Sequence, residues 1–165
     1  MATLPADMPS DAVEAFMYLK DRQQLSVEDM QVLAMIECWG EAFYQALASG
    51  VANTEARGML ERNAAEERGH AHRLLKAIKL KGGAPFELPA REDNPFMAAV
   101  PTEVPCNEEV MSLLEQGEAD GDLTYQAWAD AEPDPQVAEL LRLNGREETR
   151  HGERVSAVRQ LLTAG

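Results

Sequence analysis

The chain contains two Glu-x-x-His units, Glu67-Arg68-Gly69-His70 and Glu148-Thr149-Arg150-His151, each preceded by a lone glutamate, Glu37 and Glu118. A glutamate and a histidine three apart project from one helical face about a turn from each other, so both reach an ion lying between helices. Carboxylate oxygens with imidazole nitrogen suit iron or manganese, whereas a structural zinc site draws on cysteine and histidine in a closed tetrahedron. The candidate metal ligands are therefore Glu37, Glu67, His70, Glu118, Glu148 and His151. Glu67 and Glu148 are expected to be shared between two ions, with Glu37 and Glu118 terminal and one histidine for each ion. Such a site leaves open coordination positions for dioxygen or peroxide, which makes redox chemistry the reaction class to expect.

Both units belong to a longer repetition. A shift of 81 residues places Glu37 on Glu118, Glu67 on Glu148 and His70 on His151 without a gap, and between Glu28 and Leu80 it gives sixteen identical pairs. Tyr44/Tyr125, Asn63/Asn144, Glu66/Glu147 and Arg73/Arg154 are among them. Average composition gives roughly one match in fifteen positions, about four in all, so a duplicated helical unit is the economical explanation.

Helices must carry these residues, and the caps repeat with the ligands. Ser26 and Asn107 are matched N-caps, followed by acidic residues that oppose the helix dipole; Asn53 and Asp134 are the second pair, the latter followed by Pro135. Four helices are predicted near 26–50, 53–81, 107–131 and 134–162, with a short one near Asp11 to Lys20 that puts Val13, Phe16 and Met17 on one side. Residues 82–106 hold Pro85, Pro89, Pro95, Pro101 and Pro105, five of the nine prolines, and read as one long crossover between two antiparallel hairpins. Along the stripes Met30, Leu33, Glu37, Gly40, Tyr44, Leu47 and Leu60, Asn63, Glu67, His70, Leu74, and along their copies, a carboxylate interrupts apolar residues at mid-helix. The helix glycines at 40, 69, 117, 121, 145 and 152 are expected in part to permit close backbone approach or leave space for a small ligand. An ionised glutamate buried alone costs several kcal/mol. Four carboxylates contribute −4, and two divalent ions cancel that charge while leaving the histidines neutral.

Composition narrows the classes further. The 165 residues suffice for a single domain, and a formal charge of −14 argues against nucleic acid, which needs clustered Lys and Arg. Cys38 and Cys106 form no CxxC, there is no basic segment ahead of an apolar one at the N-terminus, and there is no run of about 18 apolar residues. A soluble cytoplasmic protein with no membrane partner is expected.

The pattern of one Glu, then Glu-x-x-His, twice over, with a tyrosine seven residues after each lone Glu and a long central crossover, resembles the ferritin-like di-iron carboxylate superfamily. The resemblance covers roughly residues 26–163 and is greatest to the di-iron domain of rubrerythrins. Classical ferritins usually lack the second histidine, here His151, and bacterioferritins carry a haem-ligating Met where this chain has Arg68. The resemblance implies an all-α, ferritin-like up-down-down-up four-helix bundle and a carboxylate-bridged pair of iron ions, with manganese or a mixed pair using the same donors and no haem. It implies reduction of hydrogen peroxide or dioxygen. No pair of CxxC motifs of the rubredoxin type is present, so electrons are expected from an external donor, and a symmetric homodimer is the default assembly.

Around the ligands several roles stay open. Asn63 and Asn144 either hydrogen-bond ligands or join helices; Glu66 and Glu147 either orient a histidine across the bundle or pair with the arginine seven residues on, Arg73 or Arg154. Tyr44 and Tyr125 are read as packing residues bonded to a carboxylate. Glu41 and Asp122 are read as solvated or ion-paired, His72 as exposed, and Cys38 as a small apolar filler. The alternative functions are ferroxidase-type iron handling in a large hollow oligomer, an oxygenase with an apolar tunnel ending at the metals, and non-catalytic metal binding.

Overall fold

The computed structural model describes residues 2–163 and, among them, contains helices and no strands. Helix α1 spans Ala12–Lys20, α2 Val27–Ser49, α3 Thr54–Leu80, α4 Glu108–Ala131 and α5 Pro135–Thr163. The starts of α2 to α5 are fixed by the residues the repetition singles out. Ser26 and Asp29 form a reciprocal capping box on α2, Asn53 accepts from two backbone amides of α3, Asn107 accepts from Val110 N, and Asp134 from Gln136 N. At the far end of α3, Gly82 takes a positive φ of 72°, a conformation glycine adopts without steric cost, and the chain turns into the crossover.

Two apolar cores lie along the bundle, and the order in which each helix enters them gives its direction. Helix α2 runs from the first core (Met30 to Ile36) to the second (Tyr44 to Ala48), and α3 returns through Leu60 and Ala64 to Leu74 and Ile78. Helix α4 starts in the second core at Met111 and ends in the first at Trp128 and Ala129, and α5 runs back from Val137 to Val158. The order is up-down-down-up, a ferritin-like helical bundle. Helices α2 and α3 form one hairpin and α4 and α5 the other; the hairpins join chiefly through α3 and α5. All six candidate ligands fall in the band between the two cores.

The crossover does more than connect. It forms two 3-10 turns, Arg91–Asp93 and Pro95–Ala99, and places Phe96 fully inside the first core. Asn94, also buried, donates to the carbonyl of Met35 at 3.0 Å and caps the second turn. Helix α1 turns inward the face of Ala12, Ala15 and Leu19, while Val13 and Met17 are 56% and 52% exposed. Of Val13, Phe16 and Met17 only Phe16 packs on the first core, edge-on against Trp128, while the two alanines let the helix lie close to α2, and Val13 and Phe16 border a cleft.

Candidate metal centre

At mid-bundle the stripe positions of four helices meet. Glu37 from α2, Glu67 and His70 from α3, Glu118 from α4, and Glu148 and His151 from α5 are all buried, both imidazoles completely. Their donor atoms form two groups with atoms within 4.8 Å of one another: Glu37, Glu67, His70 and Glu148 in one, Glu67, Glu118, Glu148 and His151 in the other. Glu67 and Glu148 belong to both. Each turns one oxygen to each histidine: Glu67 Oε2 lies 3.4 Å from His70 Nδ1 and its Oε1 3.5 Å from His151 Nδ1. Glu148 Oε1 lies 3.4 Å from His70 Nδ1 and its Oε2 3.2 Å from His151 Nδ1. The outer carboxylates are one-sided, with Glu37 Oε2 at 3.5 Å from His70 Nδ1 and Glu118 Oε2 at 3.7 Å from His151 Nδ1. The rings stack, with centroids 5.3 Å apart and planes 17° apart.

Neither Nδ1 atom has a hydrogen-bond partner, although each faces three carboxylates. The separations exceed the 2.7–2.9 Å of a charge-assisted hydrogen bond. They match instead the edge of a coordination shell, since donors about 2.0–2.2 Å from one ion stand roughly 3–3.5 Å from each other. This donor set of oxygen and imidazole fits a pair of divalent ions, and with the buried Glu/His cluster it points to a di-metal site.

The protein's own charges are arranged accordingly. Burial pushes Glu37 up to about 8, and burial with the neighbouring Glu148 charge holds Glu118 well above the usual carboxylate range. Burial works against charge on Glu67 and Glu148 as well, but the two imidazoles beside them outweigh it and keep both below that range. The histidines respond in kind: despite burial, the surrounding carboxylates raise His70 well above its ordinary value and His151 to about 12. The central pair of carboxylates is thus the one that holds negative charge most strongly.

A second layer of contacts fixes the histidines from behind. His70 Nε2 donates to Glu147 Oε2 at 3.2 Å, and Arg73 donates to both oxygens of Glu147 at 2.8 Å and to Asn144 Oδ1 at 2.9 Å. Since a carboxylate only accepts, Nε2 carries a proton whatever the charge of the ring, and Nδ1 is the nitrogen that faces the centre. In the other half, Arg154 donates to Glu66 at 2.7 and 3.0 Å and to Asn63 Oδ1 at 2.8 Å, and Glu66 Oε2 lies 3.2 Å from His151 Nε2 without a directed hydrogen bond. Asn63 and Asn144 donate to the carbonyls of His151 and His70, so they join helices rather than hold ligand side chains. Glu147 orients His70 by a hydrogen bond whereas Glu66 only lies beside His151, and neither glutamate pairs with the arginine seven residues on. Seven residues span about 10 Å along a helix axis, whereas the other hairpin brings an arginine alongside. Each glutamate takes the arginine of the opposite repeat.

The tyrosines cross over in the same way. Tyr125 donates to Glu37 Oε1 and Tyr44 to Glu118 Oε1, leaving each Oε2 toward the histidine. Glu41 pairs with Arg68 at 2.6 Å, Asp122 accepts from Thr149 and Gln126, and His72 is exposed. Cys38 is buried against Arg68, and burial raises its thiol to about 11, which fits a filler.

Gly40 and Gly121 stand on the inward stripes, where a glycine allows close backbone approach or space for a small ligand. Gly40 and Gly121 lie against the shared carboxylates: a Cβ on Gly40 would stand 3.2 Å from Glu67 Cδ, and one on Gly121 3.4 Å from Glu148 Cγ. Further out, α2 and α4 do not close on each other, and a cavity of about 600 Å³ between them reaches Glu37, Glu67, Glu118 and Glu148. Its sequence signals are the helix glycines at 40, 117 and 121, which line it, and an α2 that is apolar nearly all round, Trp39 and Phe43 lying off the inward stripe.

Comparison with known proteins adds the family. No curated protein and no solved structure matches the chain. The rubrerythrin family model matches residues 34–159, a stretch that begins ahead of Glu37 and ends past His151, and by that match the chain belongs to the rubrerythrin family.

Proposed function

We propose that the centre holds two iron ions and reduces hydrogen peroxide, or dioxygen, with electrons from an external donor. The observation that carries this reading is the bridging arrangement of Glu67 and Glu148, each with one oxygen toward His70 and one toward His151. Four buried carboxylates against two divalent cations balance at zero with both imidazoles neutral. Bound iron supplies the redox capacity needed to split an oxygen–oxygen bond.

The chain's own groups prepare that chemistry. Tyr125 and Tyr44 occupy Oε1 of Glu37 and Glu118, so each outer carboxylate would hold an ion through its other oxygen, Oε2. Glu147 holds the His70 proton on Nε2 and Arg73 keeps Glu147 ionised, which fixes the ring and strengthens Nδ1 as a donor. The apolar cores above and below keep bulk water from the two ends of the site. Among the described residues no lysine or arginine lines the cavity that reaches the cluster, and hydrogen peroxide, a weak acid, enters as the neutral molecule.

Anaerobic loading with ferrous iron, followed by stopped-flow mixing with peroxide and separately with air, tests the reading. Two ions per chain and fast oxidation by peroxide are expected; a faster reaction with air would favour an oxidase, and no accelerated oxidation by either would overturn it. Replacing Glu67 and Glu148 by Ala is expected to abolish stoichiometric binding. Loading with manganese in parallel decides the metal, and light scattering separates a homodimer from the hollow oligomer of an iron store.

A further inference from the structure

We infer that the cavity between α2 and α4 is a binding site for an uncharged, largely apolar organic molecule, seated with one end against the carboxylates of the metal centre. The site for the molecule stands on the cavity itself; its relevance to chemistry rests on the metal reading proposed above.

Size is the first argument. About 600 Å³ lies within the range of small-molecule sites, roughly 300–1,000 Å³, and is about twenty times the share of one water, far more than peroxide or dioxygen requires. The second is chemistry. Phe16, Ile36, Trp39, Phe43, Val110 and Leu114 make apolar walls, and polar groups appear where Tyr44 and the four carboxylates form the floor. No Lys, Arg or His lines the cavity, so an acidic headgroup would find no counter-charge in it, within a chain of formal charge −14. A charged ligand would also lose its hydration against these walls, at a cost of several kcal/mol. An uncharged one loses nothing comparable and gains by burying apolar surface.

Two details show room for such a ligand. Gly117 borders the cavity, and a Cβ built on it meets no atom within 4 Å, so this stretch of wall is bare backbone beside open space. At the mouth, Val13 and Leu113 are 56% and 64% exposed, an apolar entrance rather than a polar one. The carboxylates of the floor accept hydrogen bonds, so a neutral hydroxyl at the inner end of the ligand is compatible with the site. A hydrocarbon chain or ring with one hydroxyl is the class these features select.

The test uses decanol and decanoate, titrated calorimetrically into the full-length protein, both metal-free and iron-loaded. Decanol is expected to bind saturably at one site per chain in both forms, and decanoate to bind metal-free protein at least about tenfold more weakly. Gly117→Leu fills the bare wall and should weaken decanol at least about tenfold with helical circular dichroism retained. Leu113→Asp, on the exposed rim, offers a second variant with little folding risk and should also weaken it. Absence of saturable decanol binding, or equal binding by Gly117→Leu, would overturn the inference. So would a dimer in sedimentation that covers the cleft, excludes decanol and dissociates on Leu113→Asp. Because the metal-free protein is titrated, failure here is separable from failure of iron loading, which the stoichiometry of bound ions reports.

Discussion

Arg73 and Glu147 meet across the α3–α5 interface through two hydrogen bonds of 2.8 Å each, and the same carboxylate accepts from His70 Nε2. Residues of the two repeats thus complete each other's half of the site. Glu147→Gln removes the charge behind His70 while keeping the shape. Ferrous affinity, measured by competition with a chromophoric chelator, should fall about 10–100-fold with helix content unchanged. Unaltered affinity would mean the contact serves only to join the hairpins.

Tyr125 offers a cleaner separation of packing from polarity. Its ring packs edge-on against Trp128, with centroids 5.4 Å apart and planes at 86°, while its hydroxyl bonds Glu37. Tyr125→Phe keeps the first contact and deletes the second, so no cavity opens. Urea unfolding should show a loss of about 1–3 kcal/mol, the cost of leaving a buried acceptor unpaired. An unchanged midpoint would deny the bond any stabilising role.

Gly40 and Gly69 make a matched pair within the helices. A methyl on Gly40 would press on the carboxyl carbon of Glu67 at 3.2 Å, whereas one on Gly69 meets nothing within 4 Å. Gly69→Ala should stabilise the fold by about 0.5–1 kcal/mol through reduced chain entropy. Gly40→Ala should displace Glu67 and lower the affinity for both ions, because that carboxylate is shared. Thermal melting and metal titration of the two variants separate the effects; equal behaviour would refute the close approach.

Cys38 tests burial directly. With its thiol raised to about 11, the group stays protonated until the pH nears that value, and at pH 8 the thiolate fraction is about one in a thousand. Iodoacetamide at pH 8 should therefore leave Cys38 unmodified in the native protein and label it only after unfolding, as peptide mass spectrometry would show. Labelling of native Cys38 at the rate of a free thiol would contradict its placement.

Much of this was legible without coordinates. Because a helix returns to the same face every three to four residues, the spacing of Glu37, Glu67, His70 and their copies among apolar residues already told that they point inward. The caps at Ser26, Asn53, Asn107 and Asp134 marked helix starts, since local hydrogen bonds make those starts and depend on nothing distant. For α1 the apolar side chains suggested a face, but the alanines that permit close packing point inward, a choice made by the neighbouring helix.

What the amino-acid sequence determined alone was which residues share a face and where each helix begins, both set by interactions within a few residues. Only the tertiary structure decided which residue meets which: Arg73 with Glu147 rather than Glu66, Tyr125 with Glu37, Phe96 of the crossover in the core, and α2 held apart from α4. Those pairings depend on the axial offset and separation of helices far apart in the chain. That offset follows from the summed packing of whole interfaces, which no local spacing encodes.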